Sequence, residues 1–125
     1  MTFIAFILNL PWTIIGLILA FLSRPYKMTF DPKTLTFIFK VRSLWWYTWL
    51  PGKKKVRALA NGHIIQLGPL EQEKDLAHEL VHVEQSIREP FIKPFLYLIE
   101  TLKHGYHSNK YEKEAYKRAG NTYEY

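Results

Sequence analysis

The chain has 125 residues, of which 48% are hydrophobic, 16% aromatic and 22% charged; this describes one folded domain and excludes an intrinsically disordered chain. With no cysteine, a disulfide framework, a zinc ribbon and a thiol nucleophile are excluded, and any metal site must be built from His and carboxylates. Seventeen Lys and Arg against eleven Asp and Glu give a net charge of +6, which favours anionic partners, either a phospholipid surface or nucleic acid.

Residues Met1 to Ser23 carry no charged side chain, and an apolar helix of about 20 residues spans a hydrocarbon core. Asn9, Pro11 and Thr13 interrupt the run, so it reads as one kinked transmembrane helix or as a hairpin of two half-helices lying partly in the interface. A cleaved signal peptide fits poorly, because no Lys or Arg precedes the apolar run and no small-x-small site follows it. The alternative is a buried helix of a soluble core; the reading adopted is a membrane anchor over 1–23, followed by one domain over 24–125. Arg24, Lys27, Lys33, Lys40 and Arg42 all follow the anchor, which by the positive-inside rule places the C-terminal part in the cytoplasm.

Residues 24–67 read as β structure. Asp31-Pro32-Lys33 is a turn, Leu35 to Val41 a strand, and Leu44 to Leu50 a second run with Trp45, Tyr47 and Trp49 on one face. Pro51-Gly52 turns the chain, Lys53 to Lys55 are solvated, Val56 to Ala60 form a third strand, and Asn61-Gly62 is a hairpin signal from which His63 to Leu67 pair back. The expected result is a small antiparallel sheet. The mixture of Trp, Tyr, Lys and Arg between Arg42 and Arg57 suits stacking on nucleic acid. Next to an anchor, the same composition describes an aromatic belt with lipid-facing basic residues. No nucleic-acid-binding motif accompanies it, and the membrane interface is preferred.

Residues 70–89 give the clearest helix. Leu76, Leu80, Val83 and Ile87 recur at three- and four-residue steps, and Pro90 stops the run. Within it lies His78-Glu79-Leu80-Val81-His82, an HExxH motif. Positions i and i+4 project from one helix face, so both imidazoles can grip one zinc ion, and Glu79 can reach a metal-activated water as general base. Chance would place this motif in on the order of one chain in two hundred of this length. The competing reading is an amphipathic helix with surface histidines.

A zinc hydrolase needs a third protein ligand and an open position. The longer pattern HExxHxxGxxH is absent, since Gln85 and Arg88 occupy the Gly and third His positions, which leaves His104, His107, Glu112 and Glu114 as candidates. Ser108 to Ala119 reads as a helix capped by Asn109. Asn109-x-x-Glu112 is also a capping-box spacing, so Glu112 has a structural alternative.

HELVHVEQ followed by a second helix with NKYEKEAY resembles the gluzincins, zinc peptidases whose third ligand is a Glu on a later helix. The likeness is greatest to the minimal versions ("minigluzincins"), in which a strand, the HExxH helix and an ExxxD-type helix make the catalytic core. Integral membrane zinc proteases of the heat-shock and prenyl-protein-processing type share the pattern. The resemblance covers about residues 62–119. It implies His78, His82 and Glu112 as zinc ligands and Glu79 as base. Tyr116 stands where such families have an Asp that orients a zinc-bound His. His104, followed by Gly105, is similar to the HExxH…HG arrangement of zinc proteases that digest DNA-bound proteins.

A donor for the oxyanion is expected in such a site, and Tyr106, His107 or His104 can supply it. His63 reads as structural. The strand Gly62 to Leu67 is a candidate edge for an extended peptide substrate. Phe91 to Leu102 is apolar on nearly every side and reads equally as a second core helix or as a segment dipping into the bilayer beside the anchor.

The expectation is therefore an α+β protein: an N-terminal membrane-associated helix, a small antiparallel sheet, then the HExxH helix and two further helices in a zincin-like minimal core. Its activity would be Zn2+-dependent peptide-bond hydrolysis at a membrane, with the lipid bilayer and a peptide or protein substrate as partners. The alternatives are a non-catalytic membrane protein with a structural zinc, and a basic membrane-surface or nucleic-acid binder whose HExxH is accidental.

Overall fold

The computed structural model describes residues 2–44 and 56–120. Two short helices, α1 (Thr2–Leu8) and α2 (Leu10–Leu22), lead into strands β1 (Pro25–Asp31), β2 (Thr36–Val41), β3 (Ala58–Asn61) and β4 (Ile64–Leu67); helices α3 (Asp75–Arg88), α4 (Lys93–His104) and α5 (Lys110–Ala119) follow. The expected strand over Leu44 to Leu50, apart from Leu44 itself, the turn at Pro51-Gly52 and the lysines 53–55 lie outside the described residues.

The four strands form one sheet in the order β1-β2-β4-β3. β1 and β2 are antiparallel, as are β3 and β4, but β2 and β4 run parallel, with Phe37 beside Ile64 and Lys40 beside Leu67. The sheet is thus mixed, and the wholly antiparallel expectation is corrected. After β2 the chain passes to the outer edge, forms β3, and returns through Gly62 (φ +57°), so that β4 is inserted in the middle. Local alternation fixes which side chains share a face, but it carries no information about this order. The same insertion overturns the expected substrate edge: Gly62 to Leu67 is interior, every residue of β4 is buried, and among the described residues the edge strands are β1 and β3.

Alternation sorts the core onto two faces. Phe39, Val41, Leu59 and Ile64 pack with Ala20 of α2, while Ile38, Ala58, Ile65 and Leu67 pack with Val83 of α3. Leu76, Leu80 and Ile87 join the second cluster, so the apolar stripe read from the sequence is the face of α3 that seats on the sheet. Helix α3 begins later than expected. Its first residue, Asp75, takes the Arg57 guanidinium at 3.0 and 3.1 Å and accepts from Gln72 N, fixing the helix start against the chain just before β3.

The N-terminal helices are patterned inside out. Ala5, Asn9, Thr13, Gly16, Ala20 and Ser23 are buried, at spacings of three and four. The large residues point away: Phe3 is 66% exposed, Ile18 56% and Phe21 63%. The inward contacts are polar or close. Asn9 Nδ2 donates to Ser86 O and to His63 Nε2, Asn9 Oδ1 accepts from Phe91 N, and Thr13 Oγ1 accepts from His63 N. Gly16 lies so near β3 and β4 that an added Cβ would stand 2.8 Å from Asn61 O. Among the described residues no single helix is long and apolar enough to cross a membrane; α1 and α2 meet that test only together, across a 71° bend.

Helix α4 continues the outward surface. Lys93 is its only buried residue, whereas Phe95, Leu98, Ile99 and Leu102 are exposed, so α4 is not the second core helix considered for this segment. Trp12 joins the two surfaces: its indole N–H donates to Phe91 O at 2.8 Å, and its rings pack on Phe91 and Phe95.

Candidate metal centre

Helix α3 buries a second face besides the one on the sheet, made of His78, Glu79, His82, Gln85 and Ser86. Opposite it stands α5, whose N-cap Asn109 accepts from Tyr111 N and donates to Tyr97 O and Thr101 Oγ1 of α4. This cap fixes where Glu112 begins its reach. The Glu112 carboxylate does not close a capping box; it turns inward to the two imidazoles.

Three donor atoms converge there. Glu112 Oε1 lies 3.0 Å from His78 Nε2 and 3.1 Å from His82 Nε2, and the two nitrogens are 3.2 Å apart. Ligands about 2.0–2.1 Å from a tetrahedral zinc are separated by roughly 3.3 Å, so this triangle fits such an ion. Glu79 Oε2 is further back, 3.9 Å from His78 Nε2. His78, Glu79 and His82 together also form a buried group able to hold a metal. The shorter contacts of Glu112 group it with the two imidazoles, and Glu79 stands beside them.

Each of these side chains is held from behind. His82 Nδ1 donates to Gln85 Oε1 at 2.8 Å, while Gln85 Nε2 donates to Tyr111 O and Glu114 Oε1. The second oxygen of Glu112 accepts from the Tyr97 hydroxyl. His78 has the Tyr116 ring against it, centroids 4.3 Å apart, and the Tyr116 hydroxyl is 2.8 Å from that of Tyr106. Tyr116 thus meets the imidazole with its ring in a T-shaped contact, where the resemblance implies a carboxylate.

Burial raises the Glu112 pKa, but the His82 charge and hydrogen bonds from His78, His82 and Tyr97 outweigh it and hold the carboxyl far below its usual range. Burial lowers the pKa of His82, against the pull of Glu112. Lys93 is pushed down to about 8 by burial, against the pull of Glu112, Glu79 and Glu89.

The donor set opens on a pocket of about 210 Å3, lined by β3 from Ala58 to Asn61, by Lys93, Pro94 and Tyr97 of α4, and by Tyr106. Of the other residues singled out in the sequence, Glu114 faces away, bound to Arg88 at 2.7 Å, which holds its pKa down at about 2. His104 and His107 are exposed and stand off the pocket wall, so neither adds a ligand. His107 packs its ring on Tyr106. His63 is structural as expected, donating from Nδ1 to Thr34 O at 2.8 Å. Gln85, Tyr97 and Lys93 were not singled out by sequence. Gln85 sits one turn after His82 on the same face, which is a usable signal for a residue that orients a ligand.

No family model matches the chain, and no curated protein or solved structure matches it either.

Proposed function

We propose that the protein is a membrane-associated zinc metallopeptidase. One observation carries this reading: His78 Nε2, His82 Nε2 and Glu112 Oε1 lie within 3.2 Å of one another, at the wall of a pocket that also holds Glu79. Three protein ligands and an open side are the composition of a catalytic zinc site, whereas a structural site is closed by a fourth. With His104, His107 and Glu114 directed elsewhere, the described residues offer no further ligand at the spacing of the three.

When bound, zinc supplies a Lewis acid that acidifies water and polarises the scissile carbonyl. Glu79 takes the proton from the attacking water and delivers it to the leaving amine. The strand β3, on the pocket wall and at the sheet edge among the described residues, is placed to take a substrate in extended form. Gln85 keeps His82 in the Nδ1–H tautomer, so that Nε2 presents a lone pair to the metal.

The membrane part of the reading is supported by the inverted pattern of α1 and α2 and its continuation over α4. A soluble monomer seldom exposes a continuous apolar patch of this kind, and a lipid surface accommodates it with the small and polar residues kept inward. The 71° bend favours insertion into one leaflet over a straight crossing. Because Lys93 and Tyr97 line the pocket while Phe95 and Leu98 of the same helix face outward, the substrate is expected to be a peptide bond close to the bilayer surface.

The test is cleavage of a fluorescence-quenched peptide tethered to anionic vesicles through an acyl chain, with zinc-loaded protein and its Glu79→Gln variant. Cleavage by the wild type and none by the variant is expected; equal cleavage by both would remove Glu79 from the mechanism.

A further inference from the structure

Lys93 is at the start of α4, and it is the only Lys or Arg on the wall of the metal pocket among the described residues. It is 9% exposed. Its Nζ stands over the rings of Tyr97 and Tyr111, 5.0 and 5.6 Å from their centroids. Among the described residues no carboxylate lies within ion-pair distance of it and no side-chain hydrogen bond reaches it. Three acids act on it through space, Glu112, Glu79 and Glu89: Glu112 is bonded to both imidazoles and Tyr97, Glu79 Oε2 stands 3.9 Å from His78 Nε2, and Glu89 accepts from the Tyr111 hydroxyl.

A desolvated ammonium without a bonded anion is costly, and an apolar side chain of the same length would fill the space without that cost. Two stacked rings compensate it only in part. The cost is offset when an anion enters the pocket and meets the charge in a medium of low dielectric, where such a contact is strongest. Tyr106 faces the same pocket, but its hydroxyl is already within hydrogen-bond distance of Tyr116.

We propose that Lys93 is the anion-binding residue of this centre and that it receives an anionic oxygen of the substrate beside the metal. The inference rests on the metallopeptidase reading and adds to it a specificity- and rate-determining group. Two sources of that oxygen share the chemistry: the oxyanion that develops on the scissile carbonyl, and the terminal carboxylate of a peptide cleaved near its end. Tyr97 and Tyr111 hold the ammonium in place without neutralising it.

The test uses the full-length chain in detergent with Co2+ in place of zinc, because the visible spectrum of cobalt reports the coordination sphere directly. Two probes are titrated: N-phosphoryl-leucinamide, a tetrahedral anion with a neutral end, and N-phosphoryl-leucine, which adds a carboxylate. Lys93→Met is expected to keep the cobalt spectrum of the wild type, showing an intact fold and ligand set, and to bind at least one probe roughly ten-fold or more weakly. Lys93→Arg is expected to retain most of the affinity. Loss for both probes assigns the oxyanion as the source; loss confined to the second assigns the terminal carboxylate. Affinities within two-fold of wild type for both probes would overturn the role of Lys93, as would a wild-type cobalt spectrum that neither probe perturbs. No cobalt spectrum in the wild type would instead overturn the metal reading on which the role depends.

Discussion

Gln85 Oε1 accepts a hydrogen bond from His82 Nδ1 at 2.8 Å, and this contact decides which nitrogen of His82 faces the pocket. Gln85 is itself fixed by Tyr111 O and Glu114, so the ring orientation is set by α5, the helix that carries Glu112. The donor side chains of two helices are therefore aligned by one amide.

Replacing Gln85 by Leu should leave the three donors present but free the His82 ring. Zinc affinity is expected to fall about 10–100-fold, the range typical for loss of a group that orients a metal-bound His. Competition against a chromophoric zinc chelator measures it. An unchanged affinity would mean that packing alone orients His82.

Gly16→Ala tests the seam between α2 and the sheet. A Cβ there meets Asn61 O at 2.8 Å and Ile64 Cβ at 3.0 Å, which should destabilise by about 1–3 kcal/mol, offset by up to about 1 kcal/mol of helix propensity. A lower melting temperature in detergent is expected. A rise would show that the helix stands off the sheet.

The outward face gives the opposite result. Ile14→Ser, Ile18→Ser, Phe95→Ser and Leu98→Ser combined alter side chains that are each more than half exposed. Zinc content and fold should persist while flotation with anionic vesicles is lost. Retained flotation would place the lipid contact elsewhere.

Acid should weaken the metal-free protein. Burial lowers the His63 pKa below 6.5, so the unfolded state binds more protons as the pH falls through that value. The stability His63 confers is therefore complete above about pH 6.5 and is lost below it. Glu114, held at about 2 by Arg88, adds a loss beginning near pH 4.5. The melting temperature should hold from pH 7.5 to about 6.5 and decline below it; His82, whose pKa burial also lowers, adds to the loss, and His63→Gln should make the decline shallower. A flat wild-type profile would contradict the assignment.

What sequence made legible, and what it did not, divides along physical lines. The HExxH face and Glu112 depend on helical spacing and on chemistry that few residue types provide, and both were readable. The place of β3 at the sheet edge depends on a connection whose order no local pattern records. Asn9 read as an interruption of an apolar run, because its partners, Ser86, His63 and Phe91, are more than fifty residues away. Lys93 lies in the segment Phe91 to Leu102, which read as apolar on nearly every side; only the packing of α4 against α5 turns it into a pocket residue.

The most direct test of the central claim is zinc content per chain, measured by plasma mass spectrometry on detergent-purified wild type and on Glu112→Gln and Glu114→Gln. About one zinc per chain in the wild type and in Glu114→Gln, with most of it lost in Glu112→Gln, is expected from a site built on His78, His82 and Glu112. A folded wild type without zinc, or full retention in Glu112→Gln, would contradict that site.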